Sequence, residues 1–317
     1  MNILKSIFGL FFLICSLYAS TLEPTYKLQA SGGVNDMVIA NEALYVATSS
    51  SRVDIFNLSN QQLIKSIQIP KIKDFMGDVI DSKIYSVDIL KDKILILSQG
   101  EKGGRNIDIY RHGKLENIIS DKKRMFIAKA KFVDDEKIVF SLLSNQLYLY
   151  DLKNKKNIYV KQVSQSKFSN FVLNENKKEI IIADESGDLQ QYEVTSGQHQ
   201  KSYKGQNLDN VFQVDYKNNI IITAGQDRRA VVYSKFKTYY KQSDFLIYSC
   251  GLSPSANRAA YSSNENNDVT VFNTKTKRDL YTLLGNKMTL NNILFINEKE
   301  ILIASDDKNI NYYKLKQ

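Results

Sequence analysis

The tetrapeptide Val269-Thr270-Val271-Phe272 is one copy of a pattern that recurs along the chain, with a β-favouring start and an aromatic residue at its fourth position. The other six copies are Val53-Asp54-Ile55-Phe56, Ile107-Asp108-Ile109-Tyr110, Leu147-Tyr148-Leu149-Tyr150, Leu189-Gln190-Gln191-Tyr192, Ala230-Val231-Val232-Tyr233 and Ile310-Asn311-Tyr312-Tyr313. Successive aromatic residues lie 54, 40, 42, 41, 39 and 41 residues apart. Self-similarity at a period of ~40 residues indicates a chain of like supersecondary units. We therefore predict seven such units.

A second apolar segment precedes each of these tetrapeptides, and in its clearest copies three bulky residues are followed by a small one. These copies are residues 44–47, 138–141, 180–183 and 301–304, with looser ones at 94–98, 220–223 and 259–262. Short apolar runs bounded by turns are typical of strands buried on both faces. A strand ahead of a turn rich in Asn, Asp, Lys or Ser is expected in each unit. These inner strands are predicted at residues 36–39, 85–90, 128–133, 170–173, 211–214, 247–252 and 293–296.

Units of this kind cannot shield both faces of their own sheets, so we predict that they stack around an axis. The predicted fold class is all-β, a seven-bladed β-propeller formed by residues 21–317 as a single domain. Because only two residues follow Leu315, the last blade lacks a fourth strand. The segment Thr25-Tyr26-Lys27-Leu28 is expected to supply it, which would close the ring and remove two exposed strand edges. Rings with one blade fewer or one blade more are the alternatives.

The chain after residue 20 resembles a degenerate WD40-repeat propeller. In the sixth unit, Leu252-Ser253-Pro254 stands where that family carries Phe-Ser-Pro. The aromatic residue of the family's Trp-Asp pair is kept as Phe or Tyr in every unit, its Asp is kept only as Asp151, and the opening Gly-His is missing. Asp227 and Asp307 resemble the family's structural aspartate. The resemblance implies that the usual His–Asp hydrogen-bond network cannot form, so we expect packing to hold the blades, at roughly 1.5–3 kcal/mol per buried aromatic side chain.

Residues 1–20 have the features of a secretory signal peptide. Lys5 supplies the positive charge, residues 7–14 are apolar, and small residues allow cleavage after Ala19 or Ser20. The apolar run is shorter than the ~20 residues of a membrane-spanning helix, which favours cleavage over an uncleaved anchor. A lipid anchor on Cys15 is disfavoured by the bulky Ile14 before it. We therefore expect a periplasmic protein without stable membrane insertion.

The residues that commonly carry catalysis are scarce. His112, His199 and Cys250 are the only histidines and cysteine after residue 20, and they do not cluster. We predict no catalytic residue, no cofactor and no metal ligand, and we expect Cys250 to be a small buried apolar residue. The acidic stretches Asp134-Asp135-Glu136 and Asp306-Asp307 are expected to form turns, because a calcium site needs ~6–8 oxygen ligands around one point.

A propeller enzyme such as a lactonase is the least favoured alternative. It would need a ring of carboxylates and asparagines around the central channel. The candidates near the starts of inner strands are Asp36, Asn170, Asn210 and Asn292, which show no clear equivalence of register in the sequence.

Charge and loop length indicate where a partner could bind. The formal net charge is +9 and falls to +8 without Lys5. Export makes nucleic acid an improbable partner, so the charge is either a solvated surface or a means of steering an acidic protein or anionic lipid. The long segments 68–78 and 99–105 are either tolerated insertions or contact loops on one face. The candidate contact residues are Lys102, Arg105, Arg228 and Arg229.

These features favour a non-catalytic protein-interaction propeller. The whole-chain plan, with a signal, seven degenerate blades, no tryptophan and a Lys/Asn/Ile-rich composition, also resembles NapL-type accessory proteins of periplasmic nitrate reductase systems. That resemblance implies a role in maturation of the nitrate reductase or in its electron supply, with reductase subunits or a c-type cytochrome as partners. A scaffold for envelope assembly, like the propeller lipoproteins of outer-membrane protein insertion, is the alternative.

Overall fold

The computed structural model describes residues 19–316, so the predicted signal lies almost wholly outside the described residues. Seven sheets, each built on four antiparallel strands, follow one another along the chain and form seven blades, which confirms the predicted all-β propeller. The only helical elements between residues 19 and 316 are two 3-10 turns, Glu101–Gly103 and Asp121–Lys123. Neither of these turns is long or apolar enough to cross a membrane.

Each blade runs from an inner strand at the channel to an outer strand at the rim. The inner strands of blades one to seven are Val34–Ala40, Ile84–Leu90, Ile127–Phe132, Phe168–Leu173, Val211–Lys217, Cys250–Leu252 and Leu290–Asn297. The second strands are Ala43–Thr48, Lys93–Gln99, Lys137–Leu142, Glu179–Asp184, Ile220–Gly225, Arg258–Ser262 and Glu300–Ser305. The third strands are Arg52–Asn57, Arg105–Arg111, Gln146–Asp151, Leu189–Glu193, Arg229–Tyr233, Val269–Asn273 and Asn309–Lys314. The outer strands are Leu63–Gln68, Lys114–Ile119, Lys156–Gln162, His199–Tyr203, Thr238–Gln242, Asp279–Leu283 and Tyr26–Gln29.

The N-terminal strand closes the ring as predicted. Tyr26–Gln29 pairs antiparallel with Asn309–Lys314, with Tyr26 opposite Tyr312. The two tyrosine rings stack with their centroids 4.1 Å apart, and Leu28 is buried behind them. The last blade therefore gains its fourth strand from the opposite end of the chain, which links the two ends of the ring.

A second N-terminal strand was not predicted from the sequence. Ser20–Leu22 pairs in parallel with the outer strand of blade six, so that this sheet has five strands. The backbone N–H of Leu284 donates to the carbonyl of Leu22 at 2.9 Å. The chain therefore contacts the rims of blades six and seven before it enters blade one.

Apolar clusters fill every gap between neighbouring blades. Leu28, Met37, Val46 and Leu302 belong to the cluster between blades seven and one, and six similar clusters fill the other gaps. The aromatic residues of the seven repeats contribute to these clusters, and all are buried except Tyr110, which is half-buried. Sheets that expose two apolar faces thus bury both only within a closed ring.

Packing is not the only force that holds the blades, so the expectation from the sequence was incomplete. In blade five, the Thr223 hydroxyl donates to the Asn207 side chain at 2.8 Å, and the Asn207 amide donates to the Tyr233 hydroxyl at 3.1 Å. Asp227 accepts from the backbone N–H of Leu208 at 2.7 Å. These contacts tie the loop before the blade to its second and third strands. Asn207 thus forms a side-chain network although the family's histidine is absent.

Candidate protein-interaction face

The order of strands decides which loops share one end of the ring. Because each blade is an up-and-down sheet, blade-to-blade connections and the turns between second and third strands lie at the same end. We call this end the loop face and the opposite end the turn face. Of the twelve exposed large apolar side chains among residues 19–316, six belong to connections on the loop face. They are Phe75, Met76, Val79, Phe126, Leu208 and Met288.

The most exposed of these residues sit on a hairpin between blades one and two. Its two short strands, Ile72–Lys73 and Val79–Ile80, pair antiparallel. Phe75 is 98% exposed and Met76 is 82% exposed. Isolated apolar side chains on a surface are ordinary, whereas adjacent ones on a projecting loop are typical of interaction sites.

The turn of this hairpin is held by its own residues. The Asp74 carboxylate accepts from the backbone N–H groups of Met76 and Asp78, each at 2.9 Å. Gly77 has φ of +94°, a conformation that glycine adopts without a Cβ clash. An aspartate that bonds the backbone two residues further on stabilises a tight turn. The turn therefore presents Phe75 and Met76 to solvent in a defined geometry.

Blade two supplies the other wall of this site. Its enlarged turn is tied to segment 120–126 by the Asp121 carboxylate, which accepts from the backbone N–H of Glu101 at 2.8 Å. A Cβ on Gly104 would lie 2.3 Å from the Asp121 carbonyl oxygen, so a larger residue cannot take this place without a backbone shift. The half-exposed ring of Phe126 packs over Gly103. Both loops are thus fixed against each other.

The hairpin and the enlarged turn enclose a surface groove, which we call the hairpin groove. Its apolar lining comes from Ile72, Phe75, Ile80 and Phe126. The groove and the adjoining depression are also lined by the charged residues Lys71, Lys73, Lys102, Lys122 and Arg124, and by Asp74, Glu101 and Asp121. Five cations thus face three carboxylates, two of which already accept backbone N–H groups, and Lys71 is paired with Asp81 at 3.2 Å. The groove is apolar at its centre with a basic rim.

The four candidate contact residues all lie on the loop face, in two separate places. Lys102 lines the hairpin groove and is exposed. Arg105 lies beside it, but its guanidinium stacks over Tyr85 at 3.8 Å and donates to the Ile127 carbonyl. Arg105 therefore fixes the wall of the groove. Contact of either residue with a partner stays a prediction.

Arg228 and Arg229 belong to blade five, away from the groove. Arg228 is exposed in the turn, with φ of +61°. Arg229 begins the third strand, lies 4.3 Å from the centre of the Tyr240 ring and donates to the Gln206 carbonyl at 2.9 Å. Arg229 thus holds two loops together, whereas Arg228 is free to meet a partner, which stays a prediction.

A ring of polar side chains lines the central channel at one level. Six of the inner strands have a bulge near their start. The third residue of each of these strands, directly after the bulge, is polar. In blade six the equivalent residue directly precedes the strand. The members of this ring are Asp36, Ser86, Lys129, Asn170, Gln213, Ser249 and Asn292. Asp36, Asn170 and Asn292 are therefore equivalent in register, which the sequence did not reveal, whereas Asn210 precedes its strand and accepts from Ser169.

Most members of the polar ring bond to the inner strand of the following blade. An inner strand has one free edge, and its unpaired N–H and C=O groups need partners. Asp36 accepts from the Val87 N–H at 3.0 Å, Ser86 from the Ala130 N–H at 3.2 Å, and Gln213 from the Cys250 N–H at 2.8 Å. The Asn292 amide donates to the Asn35 carbonyl at 3.3 Å and so joins blade seven to blade one. The polar ring therefore joins neighbouring blades around the channel.

The same contacts occupy a carboxylate that the propeller-enzyme alternative would use. The Asp36 carboxylate is occupied by the Val87 N–H and by the Lys131 amine at 3.1 Å. Residues 19–316 contain no group of three or more His, Cys, Asp or Glu placed to hold a metal ion. Cys250 is buried, and burial raises the pKa of its thiol well above the usual value, which opposes formation of a nucleophilic thiolate.

Comparison with known proteins supports the fold alone. No protein-family profile matches the chain, and no curated protein sequence matches it significantly. Among solved structures, the β-propeller domain of Cps50 (Swd1) from Myceliophteria thermophila is similar, with a TM-score of 0.74 and 12% sequence identity. The match covers 92% of this chain and 99% of that domain. The fold is that of a WD40-like seven-bladed propeller.

Proposed function

We propose that this protein is an exported, non-catalytic interaction propeller that binds a partner protein at the hairpin groove of its loop face. The observation that carries the proposal is the pair Phe75 and Met76, held in solvent by the Asp74 turn. Phenylalanine and methionine are enriched in protein interfaces, where a partner can bury them. Their exposure is costly in a free protein and is retained where binding uses it.

The surroundings of Phe75 and Met76 favour a partner protein with an apolar segment that is flanked by acidic residues. The apolar centre of the groove can bury apolar side chains of a partner. The rim residues Lys73, Lys102, Lys122 and Arg124 form no ion pair within residues 19–316 and can attract acidic groups. Asp74 and Asp78 at the hairpin tip disfavour an anionic membrane surface as the occupant. A protein surface is therefore the better match.

The test compares proteins captured from an envelope extract by three forms of the propeller, quantified by mass spectrometry. The double substitution Phe75→Ser and Met76→Ser should reduce capture of the partner at least tenfold. Phe236→Ser is the matched control, because Phe236 is 91% exposed but lies in a turn of blade five on the turn face. Capture that depends equally on Phe236, or on neither site, would exclude the hairpin groove as the binding site.

The finer proposal is that the partner belongs to periplasmic nitrate reduction. It rests on the whole-chain resemblance to NapL-type proteins and on the signal-like residues 1–20, not on a contact in the fold. We expect deletion of the gene to lower viologen-linked nitrate reduction in the periplasm, and the hairpin double variant to restore it less well than wild type. Unchanged activity and unchanged enzyme abundance after deletion would exclude this partner and leave the hairpin groove to be tested separately.

A further inference from the structure

The channel contains a lysine that lacks a carboxylate partner of its own. Lys131 pairs with Asp36 at 3.1 Å and Lys217 with Asp215 at 3.4 Å. Lys129, a member of the polar ring, forms none of the ion pairs found within residues 19–316. Its amine donates to the Asn170 side chain at 2.8 Å and lies 5.5 Å from the centre of the Phe171 ring. Lys129 is partly buried in the channel wall, and a cation partly withdrawn from water without a counter-charge is unfavourable.

From this arrangement we propose that the central channel binds a small monovalent anion, a carboxylate or a halide, on the amine of Lys129. The ammonium group has three N–H donors, and Asn170 accepts only one of them. Two neighbouring amides can add donors. The Asn170 amide reaches the Phe212 carbonyl at 3.5 Å and the Gln213 amide reaches the Asn291 carbonyl at 3.4 Å, both long for hydrogen bonds. Each amide nitrogen has a second N–H group, which can donate to an anion while the amide oxygen keeps its present partners.

The charges around Lys129 limit the size and charge of the ligand. Lys131 is the like charge that acts on the amine, and Asp36, Asp88 and Asp215 are the carboxylates that act on it. Asp36 and Asp215 are paired with lysines, and Asp88 accepts from the backbone N–H of Phe132 at 2.7 Å. These carboxylates would repel a multivalent anion. The site therefore favours an anion with a single negative charge.

The channel is reached from the turn face. Its lining continues from Lys129 past Leu173 to Asn174, Glu175 and Lys177, which lie between the inner and second strands of blade four. The hairpin groove opens on the opposite face, so the two sites do not overlap. Binding in the channel therefore stands independently of the proposed partner site.

The protonation of Lys129 provides a direct readout. Burial, together with the positive charge of Lys131, lowers the pKa of Lys129 to about 8. A bound anion stabilises the ammonium form, so it must raise this pKa. Protein carrying lysine labelled with ¹³C at Cε is titrated by NMR in bulky sulfonate buffer at constant ionic strength, with sodium acetate or sodium chloride as the probe. The Lys129 signal is the one that disappears in the Lys129→Met variant.

We expect acetate, chloride or both to raise the pKa of Lys129 by at least half a unit and to raise the melting temperature. The Asn170→Asp variant supplies an internal carboxylate, so it should raise this pKa without added anion and abolish the response to the probes. Lys275→Met, which removes an exposed lysine, should leave the response unchanged. The proposal would be overturned if neither probe changed the pKa of Lys129 in the folded protein. It would also be overturned if the probes still raised the melting temperature of both Lys129→Met and Asn170→Asp.

Discussion

The backbone of Gly251 in blade six approaches blade seven so closely that a Cβ at this position would lie 2.4 Å from the carbonyl oxygen of Ile293. At this junction the polar ring offers no side-chain bond to the next blade, because Ser249 donates back to Gln213. Gln213 instead reaches across to the Asn291 carbonyl of blade seven at 3.4 Å. At the level of the polar ring, direct backbone proximity therefore replaces the side-chain bond that joins the other pairs of neighbouring blades.

Gly251→Ala should therefore destabilise the protein by about 1–3 kcal/mol, the usual cost of forcing an extra carbon into a filled interior. Urea unfolding measures this difference. Gly113→Ala is the control, because Gly113 has open space around it and only its φ of +81° opposes the substitution. Equal losses for the two variants would show that backbone conformation, not the contact with Ile293, decides the effect.

Ring closure by the N-terminal strand predicts a large effect at Leu28. Its buried side chain packs in the cluster between blades seven and one, so Leu28→Ala should lower the free energy of unfolding by about 2–5 kcal/mol. Lys27→Ala alters the neighbouring exposed residue and should change stability by less than ~0.5 kcal/mol. If both variants unfold at the same denaturant concentration as wild type, the strand does not close the ring in solution.

The network in blade five predicts a cost for removing its central amide. Asn207→Ala leaves the Thr223 and Tyr233 hydroxyls without their buried partner, at about 1–3 kcal/mol. Asn266→Ala removes an exposed asparagine side chain and is the matched comparison. Thermal unfolding of the two variants should differ by several degrees, and coincident curves would mean that packing alone stabilises this blade.

Stability should respond to pH through Lys129. Its pKa of about 8 in the folded protein is below the usual value of 10.5, so the unfolded chain binds more protons between these two values. This group therefore destabilises the fold at neutral pH and does so less as the pH rises toward 10.5. The stability of wild type relative to Lys129→Met should increase between pH 7 and pH 10, measured by urea unfolding in sulfonate buffer. A difference that stays constant over this range would contradict the shifted pKa.

The parts of the fold that follow from repeated local patterns were predictable. The aromatic tetrapeptides fixed the number of blades, and Tyr26 together with the short C-terminal remainder indicated how the ring closes. The strand Ser20–Leu22 was missed because three residues have no recognisable period and they adjoin the expected cleavage site. The predicted inner strand at 247–252 is shorter in the structure, since only Cys250–Leu252 pairs with its neighbour.

The candidate sites could not be predicted from the sequence, because they depend on geometry that short sequence patterns do not determine. The polar ring follows bulges, and one extra residue changes which side chains share a level, so the sequence left open whether Asn170 and Asn210 are equivalent. Asn207 was missed because an asparagine in a loop is ordinary turn chemistry until its partners are known. The long segment 68–78 was recognised, but the exposure of Phe75 could not be read from sequence, because a phenylalanine is more often buried.

The central claim, that a partner protein meets the hairpin groove, is tested most directly by photocrosslinking in intact cells. A photoreactive phenylalanine analogue is placed at Phe75 in one strain and at Phe236 in another, since both side chains are more than nine-tenths exposed. We predict one discrete crosslinked protein from position 75, which disappears when Met76→Ser is added, and none from position 236. A position 75 that yields no crosslink, or the same products as position 236, would contradict the account.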